Sequence, residues 1–230
     1  MNEATGRRVD LLRCLRCGTE PLTRQGPVAR CNDCGRGYPM LRPGLINFDG
    51  LSTEEPRTWL ERVFANPVSR RIADTFLPER SGVIDALGLA QGQVLVDLGC
   101  GRGELLAQLA GAGLTWRIGV DLALAPLLEA HRQISAGHDL LLLRASAYRL
   151  PLRDRCVDRV AALHTLGLLK DPAAALSEIR RVLVPGGRLV IALRSSRTGE
   201  RTQLEVLCQR AHFEVTQLAD TLWVATPSDS

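Results

Sequence analysis

The stretch VLVDLGCGRGELLAQLA, Val94 to Ala110, decides the fold. An apolar run of strand character enters a turn with glycine at every second position, Gly99, Gly101 and Gly103, and leaves with apolar residues at helical spacing. A strand feeding a helix through a tight turn is the first half of a parallel βαβ unit. The glycines either cradle a ligand or only permit the reversal, and the rest of the chain has to separate these readings.

Working outward, the pattern continues to alternate. RIGVDLA, DLLLLRAS, VDRVAALH and RLVIALR read as strands, with APLLEAHRQI and PAAALSEIRRVL as intervening helices and PGG as a turn. The chain closes with helix TQLEVLCQRAH and strands FEVTQLA and LWVATP, separated only by Asp220 and Thr221. Strands alternating with helices predict a doubly wound, mostly parallel sheet covered on both faces. Two residues are too few for a crossover helix, so the last strand should run antiparallel. Upstream, residues 51–91 carry helical patterns, with Trp59, Phe64 and Phe76 as their aromatics. The expected organisation is a small module at 1–50, a helical linker or lid at 51–91, and the α/β domain at 92–230.

The 230 residues, 45% hydrophobic and 23% charged, suffice for one α/β domain and a small companion. No apolar run approaches the ~20 residues of a membrane span, and MNEATGRRVD lacks the apolar centre of a signal peptide, which predicts a cytoplasmic protein without a membrane partner. The formal charge is +4, with Lys170 the single lysine. That is a weak footprint for nucleic acid.

The glycine pattern excludes two common ligands. A dinucleotide fingerprint needs its third glycine at position 104, where Glu104 would repel a pyrophosphate, and no phosphate-loop lysine follows. Asp97 and Glu104 suit a positive centre instead. Asp121, ending the next strand, is placed to accept from two ribose hydroxyls. The predicted ligand is a nucleoside bearing a sulfonium and an amino-acid tail.

The four segments VLVDLGCGRGELLAQLA, GVDLA, RLPLRDRCVDRVAALHTL and EIRRVLVPGGRLVIA, in this order, resemble the class I S-adenosylmethionine-dependent methyltransferases. The resemblance covers roughly residues 70–225. It implies a seven-stranded sheet of order 3-2-1-4-5-7-6, with the turn from Asp97 to Gly103 against the methionine part of S-adenosylmethionine and Asp121 on the ribose. Where the family often carries an aspartate for the adenine amino group, this chain has Ser146, and the N–H of Ala147 could serve adenine N1. His164, following the fourth strand, and Tyr148 are the candidate catalytic groups.

Four of the seven cysteines form two C-x-x-C-G knuckles, Cys14–Cys17 and Cys31–Cys34. Two such knuckles bring four sulfurs to one tetrahedral Zn²⁺, which with no open position is structural. The run from Leu11 to Phe48 resembles the small zinc-ribbon proteins that activate tRNA and ribosome methyltransferases, and ASAYRLP is similar to a loop of a family that methylates guanine in ribosomal RNA. Cys100, Cys156 and Cys208 read as inert thiols, and His131, His138 and His212 as packing or solvated residues. Three functions stay open: a methyltransferase for a small metabolite, which the weak charge favours, an RNA base methyltransferase, and a non-catalytic cofactor-binding partner whose zinc ribbon engages another protein.

Overall fold

The computed structural model describes residues 10–49, 80–134, 139–193 and 198–228. Trp59, Phe64, Phe76 and His138, and most of the expected helical segment 51–91, lie outside the described residues. The elements in chain order are β1 Thr23–Gln25, β2 Val28–Arg30, β3 Gly37–Arg42, β4 Leu45–Asn47, α1 Arg80–Leu87, β5 Val94–Leu98, α2 Glu104–Gln108, β6 Trp116–Asp121, α3 Leu124–Gln133, β7 Leu140–Arg144, β8 Val157–Leu163, α4 Pro172–Val182, β9 Leu183–Ala192, α5 Thr198–Arg210, β10 Phe213–Ala219 and β11 Leu222–Pro227.

The strands line up as β1-β2-β3-β4-β7-β6-β5-β8-β9-β11-β10. From β7 onward this is the expected order 3-2-1-4-5-7-6. The last strand, β11, lies between β9 and β10 and is antiparallel to both. The sheet has eleven strands where seven were expected, because the cysteine module adds its own. Strand β4 pairs in parallel with β7, Leu45 opposite Leu142 and Asn47 opposite Arg144. Phe48 extends the pairing by donating its N–H to Arg144 O at 2.9 Å.

The central strands are continuously apolar because both faces are buried. Along β5, Val94, Val96 and Leu98 enter the core on one face while Leu95 enters the core on the other; Leu141 and Leu143 of β7 alternate likewise with Leu140 and Leu142. The first core contains Ile179 and Val182 of α4 and also Leu12, Leu22, Tyr38 and Phe48 of the cysteine module. The module is therefore packed into the main core. The second core holds Leu87, Leu106 and Leu127 from α1, α2 and α3.

Two local expectations differ from the structure. The helix after the glycine turn is short, Glu104–Gln108, and the chain leaves it through Gly111 and Gly113, both at positive φ. The PGG motif does not end a helix-to-strand turn; it lies inside β9, where Val157 pairs with Leu183 and Arg159 with Arg188, so residues 184–187 bulge from the ladder. Gly187 permits this because a Cβ there would come within 2.9 Å of Val184 O. Asp171 caps α4 by accepting from the N–H of Ala174 at 3.0 Å, with Pro172 as first helical residue. Among the described residues no helix is long and apolar enough to cross a membrane.

Candidate functional site

The glycine turn sits at the carboxyl end of β5, the central strand of the parallel set, where open α/β sheets place their ligands. Its backbone is held on every side. The N–H groups of Gly99 and Cys100 donate to Val120 O at 2.7 and 3.1 Å, that of Gly103 to Cys100 O at 2.8 Å, and that of Gly101 to Asp121 Oδ2 at 2.9 Å. These four donors are committed to the neighbouring strand end and to the turn itself.

Each glycine has a distinct reason to be there. Gly99, at φ 75°, packs so tightly on Thr165 that a Cβ would fall on that side chain. Gly103, at φ 74°, would drive a Cβ to 2.5 Å from Ile134 Cδ1. Gly101 differs, since a Cβ there meets nothing within 4 Å. That open side is where a ligand can approach the backbone.

Asp97 lies within β5 and is buried, yet its carboxylate has no hydrogen-bond donor among the described residues. Burial, with smaller contributions from Glu104 and Asp121, pushes its carboxyl up to about 7. A cation brought to this place would remove that penalty. Asp121 is arranged differently: Oδ2 accepts from Gly101 and Oδ1 from the N–H of Ala123 at 2.8 Å, which fixes the carboxylate.

Across the sheet from Asp121, the segment after β7 carries Ser146 and Ala147. Ala145 N–H donates to Asp121 O at 3.1 Å, and Ser146 Oγ accepts from Tyr148 N–H at 3.2 Å. The N–H of Ala147 has no acceptor among the described residues, so it could serve a ring nitrogen. Tyr148 turns the other way: its hydroxyl accepts from the N–H groups of Lys170 and Asp171 at 2.9 and 3.2 Å, ahead of α4. This commits the phenol oxygen as an acceptor and leaves its proton to donate. His164 follows β8 at φ 56°, half-buried, with its N–H on Ala192 O at 2.8 Å. Thr165, which no sequence motif marks, donates to Leu98 O at 2.9 Å and lies 3.1 Å from Leu163 O, bracing the glycine turn from behind.

The second cluster is the four cysteines. Their Sγ atoms all lie within 4.8 Å of one another, with Cys14 to Cys34 at 3.6 Å and Cys17 to Cys31 at 3.5 Å, and none is in a disulfide. Sulfurs at ~2.3 Å from one tetrahedral ion would stand about 3.8 Å apart, so the set fits Zn²⁺. Arg16 N–H points at Cys14 Sγ at 3.4 Å, as a thiolate requires. Tyr38 closes the site, its hydroxyl 3.3 Å from Cys14 Sγ and accepting from Leu15 N–H at 2.9 Å, while its ring stacks on Phe48 with centroids 4.4 Å apart. Its position in the GYP run was the signal that could have found it.

The cysteine module also clasps the segment leading to β8. Leu12 bridges Leu152; Arg13 N–H donates to Pro151 O at 3.1 Å and Arg153 N–H to Leu11 O at 2.9 Å. Asp154 accepts from both Arg13 and Arg181 at 2.7 Å, and chiefly the Arg181 hydrogen bond holds its carboxyl below the usual range.

Residues 96–191 match the family described as methyltransferase domain. Over 113 residues the chain is 35% identical to the demethylmenaquinone methyltransferase of Beutenbergia cavernae, covering 49% of this chain and 45% of that one. It is likewise 35% identical over 107 residues to a malonyl-[acyl-carrier protein] O-methyltransferase of a Marinomonas species, covering 46% and 40%. The aligned part thus spans less than half the length of these relatives. Among solved structures, a candidate S-adenosylmethionine-dependent methyltransferase of Methanococcus maripaludis superposes with TM-score 0.63 at 16% identity, covering 79% of this chain and 99% of that one. A chain from the complex of the Haloferax volcanii Trm112 methyltransferase activator with a candidate methyltransferase gives TM-score 0.62 at 20% identity, covering 76% and 100%. The architecture is the class I methyltransferase fold, with an N-terminal cysteine cluster that fits a zinc ribbon.

Proposed function

We propose that the chain is an S-adenosylmethionine-dependent methyltransferase acting on a small metabolite, with a structural zinc ion held by Cys14, Cys17, Cys31 and Cys34. The observation that carries the cofactor reading is the pairing of a glycine turn, four of whose amides are committed, with an adjacent buried carboxylate that has no donor among the described residues, Asp97. Such a place favours a cation over an anion. In this reading Asp97, Gly99, Gly101 and Gly103 take the methionine part, Asp121 the ribose hydroxyls, and Ser146 and Ala147 the adenine edge. The bound cofactor supplies an electrophilic methyl group. The protein's work is to orient the acceptor in line with it and to exclude water.

His164 is the proposed base where the acceptor must lose a proton, and Tyr148, whose hydroxyl is turned toward the start of α4, is the second candidate catalytic group. The small-molecule reading draws support from the two curated relatives, one named for demethylmenaquinone and one for a malonyl carrier, and from the low net charge. An RNA acceptor is the second reading. It is favoured by a cleft of about 350 Å³ between cysteine module and α4, where Arg16 and Arg149 have no carboxylate partner among the described residues. Against it stands the −2 charge that a Zn²⁺ held by four thiolates would place beside Arg16. A partner protein for the ribbon is the third reading, favoured by β1, the outer edge of the sheet among the described residues.

The deciding experiment follows labelled methyl from S-adenosylmethionine into a small-molecule extract and, separately, into whole-cell RNA. Label confined to the extract supports the metabolite reading. Nuclease-sensitive label overturns it in favour of RNA. Absence of label in both, with the cofactor bound, overturns the enzyme reading for these acceptors. With label present, His164→Ala separates the roles: loss of transfer with cofactor affinity intact supports the base, and unchanged transfer removes it.

A further inference from the structure

Arg144 ends β7 and is 3% exposed, an unusual place for a guanidinium. It stands in register between Asn47 of β4 on one side and Asp121 of β6 on the other. Its Nε donates to Leu122 O at 3.1 Å, the carbonyl immediately after Asp121. On the opposite side Nη2 reaches Asp49 Oδ2 at 3.6 Å. Asp49 is itself placed by its N–H on Asn47 Oδ1 at 3.1 Å. A continuous polar line thus runs from the end of the cysteine module, through Arg144, to the backbone beside the ribose-side carboxylate.

This line is poorly explained as a source of stability. Nη1 of Arg144 is buried and has no hydrogen-bond partner among the described residues. A buried ion pair with an unsatisfied donor contributes no more to folding than an apolar side chain of the same size, and often less. What the arginine does specifically is fix the carbonyl of Leu122, and with it the turn in which Ala123 N–H holds Asp121 Oδ1. Leu122, 37% exposed beside that carboxylate, is held at the same time.

We propose that Arg144 is a positioning residue for cofactor binding, anchored by Asp49 of the cysteine module and acting through Leu122 on Asp121. The module thereby sets the nucleoside side of the site without touching the ligand. This inference rests on the reading of Asp121 given above.

The test measures dissociation constants of S-adenosylmethionine and S-adenosylhomocysteine by calorimetry, with thermal unfolding of the same samples, for full-length Arg144→Met, Asp49→Asn and Asp121→Ala. Arg144→Met is expected to weaken both ligands roughly tenfold, the usual size of coupling between neighbouring sites. Its unfolding temperature should shift by only a few degrees. Asp49→Asn should move affinity in the same direction by less. Unchanged affinity in Arg144→Met overturns the inference, as does a fall in unfolding temperature with affinity of the folded fraction intact. If Arg144→Met does not fold, Asp49→Asn and Arg144→Lys decide on the same two readouts. Should Asp121→Ala bind normally, the cofactor reading itself fails; should it weaken binding while Arg144→Met does not, only the positioning role fails.

Discussion

The main-chain N–H of Gly101 donates to Asp121 Oδ2 across 2.9 Å, so the carboxylate that ends β6 also shapes the turn that follows β5. The two features the sequence marks as binding elements are one mechanical unit. A substitution at either reaches the other.

Asp121→Ala is therefore expected to cost more than its ligand contacts. It removes two acceptors for backbone N–H groups as well as the proposed contacts to ribose, each charge-assisted bond contributing about 1.5–3 kcal/mol. Calorimetric affinity for S-adenosylmethionine should fall by roughly 100-fold or more. Asp121→Asn, which keeps one acceptor oxygen, should lie between. A fall smaller than about threefold in the alanine variant would contradict the assignment.

Asp97 gives a pH dependence with a definite sign. Its carboxyl is raised to about 7, by burial first, so in the free protein it holds a proton that the unfolded chain releases near 4. Folded stability from this group accordingly declines as pH rises from about 4 to about 7. A cationic ligand favours the carboxylate, so its binding should tighten as pH rises through 7 and release a proton on the acid side. Titrating affinity from pH 6 to 8, and repeating it in two buffers of different ionisation enthalpy, checks both. Asp97→Asn should abolish this pH dependence and bind weakly throughout.

Much of this was legible in the chain. Strand β5 reads as buried because Val94 to Leu98 are apolar on both faces except for Asp97, and the two-residue gap before β11 dictates an antiparallel partner. The sheet's extension to eleven strands was not legible. The pairing of β4 with β7 is made by backbone groups between residues almost a hundred positions apart, and three residues, Leu45–Asn47, are too few to show a period. Arg144 and Thr165 escaped for a related reason. Each acts by donating to a main-chain carbonyl, Leu122 O or Leu98 O, and such an acceptor leaves no mark on residue type.

Thr165 bears on the glycine turn from behind. Thr165→Val keeps the shape but removes the donor to Leu98 O, a loss of about 1–2 kcal/mol in stability. Thr165→Ser should retain most of it. Gly99→Ala meets the same threonine from the other side and adds the cost of a left-handed backbone for alanine, about 1–2 kcal/mol. Urea unfolding of the three variants should rank them Ser, Val, Ala in order of increasing loss, with cofactor affinity falling in the same order.

Removal of metal tests how far the cysteine cluster supports the site at a distance. One zinc per chain is expected by elemental analysis, and chelation should lower the unfolding temperature by several degrees because binding at such a site contributes folding free energy. The effect should not stay within residues 10–49. Leu12 bridges Leu152, Arg13 and Arg153 exchange backbone bonds with Pro151 and Leu11, and Phe48 donates to Arg144 O. Hydrogen exchange should thus quicken at residues 144–153 as well as around the knuckles, and cofactor affinity should fall, while α5 and β10, on the far side of the sheet, keep their protection. Faster exchange confined to the knuckles, with affinity unchanged, would show the cluster to be a local staple with no hold on the cofactor site.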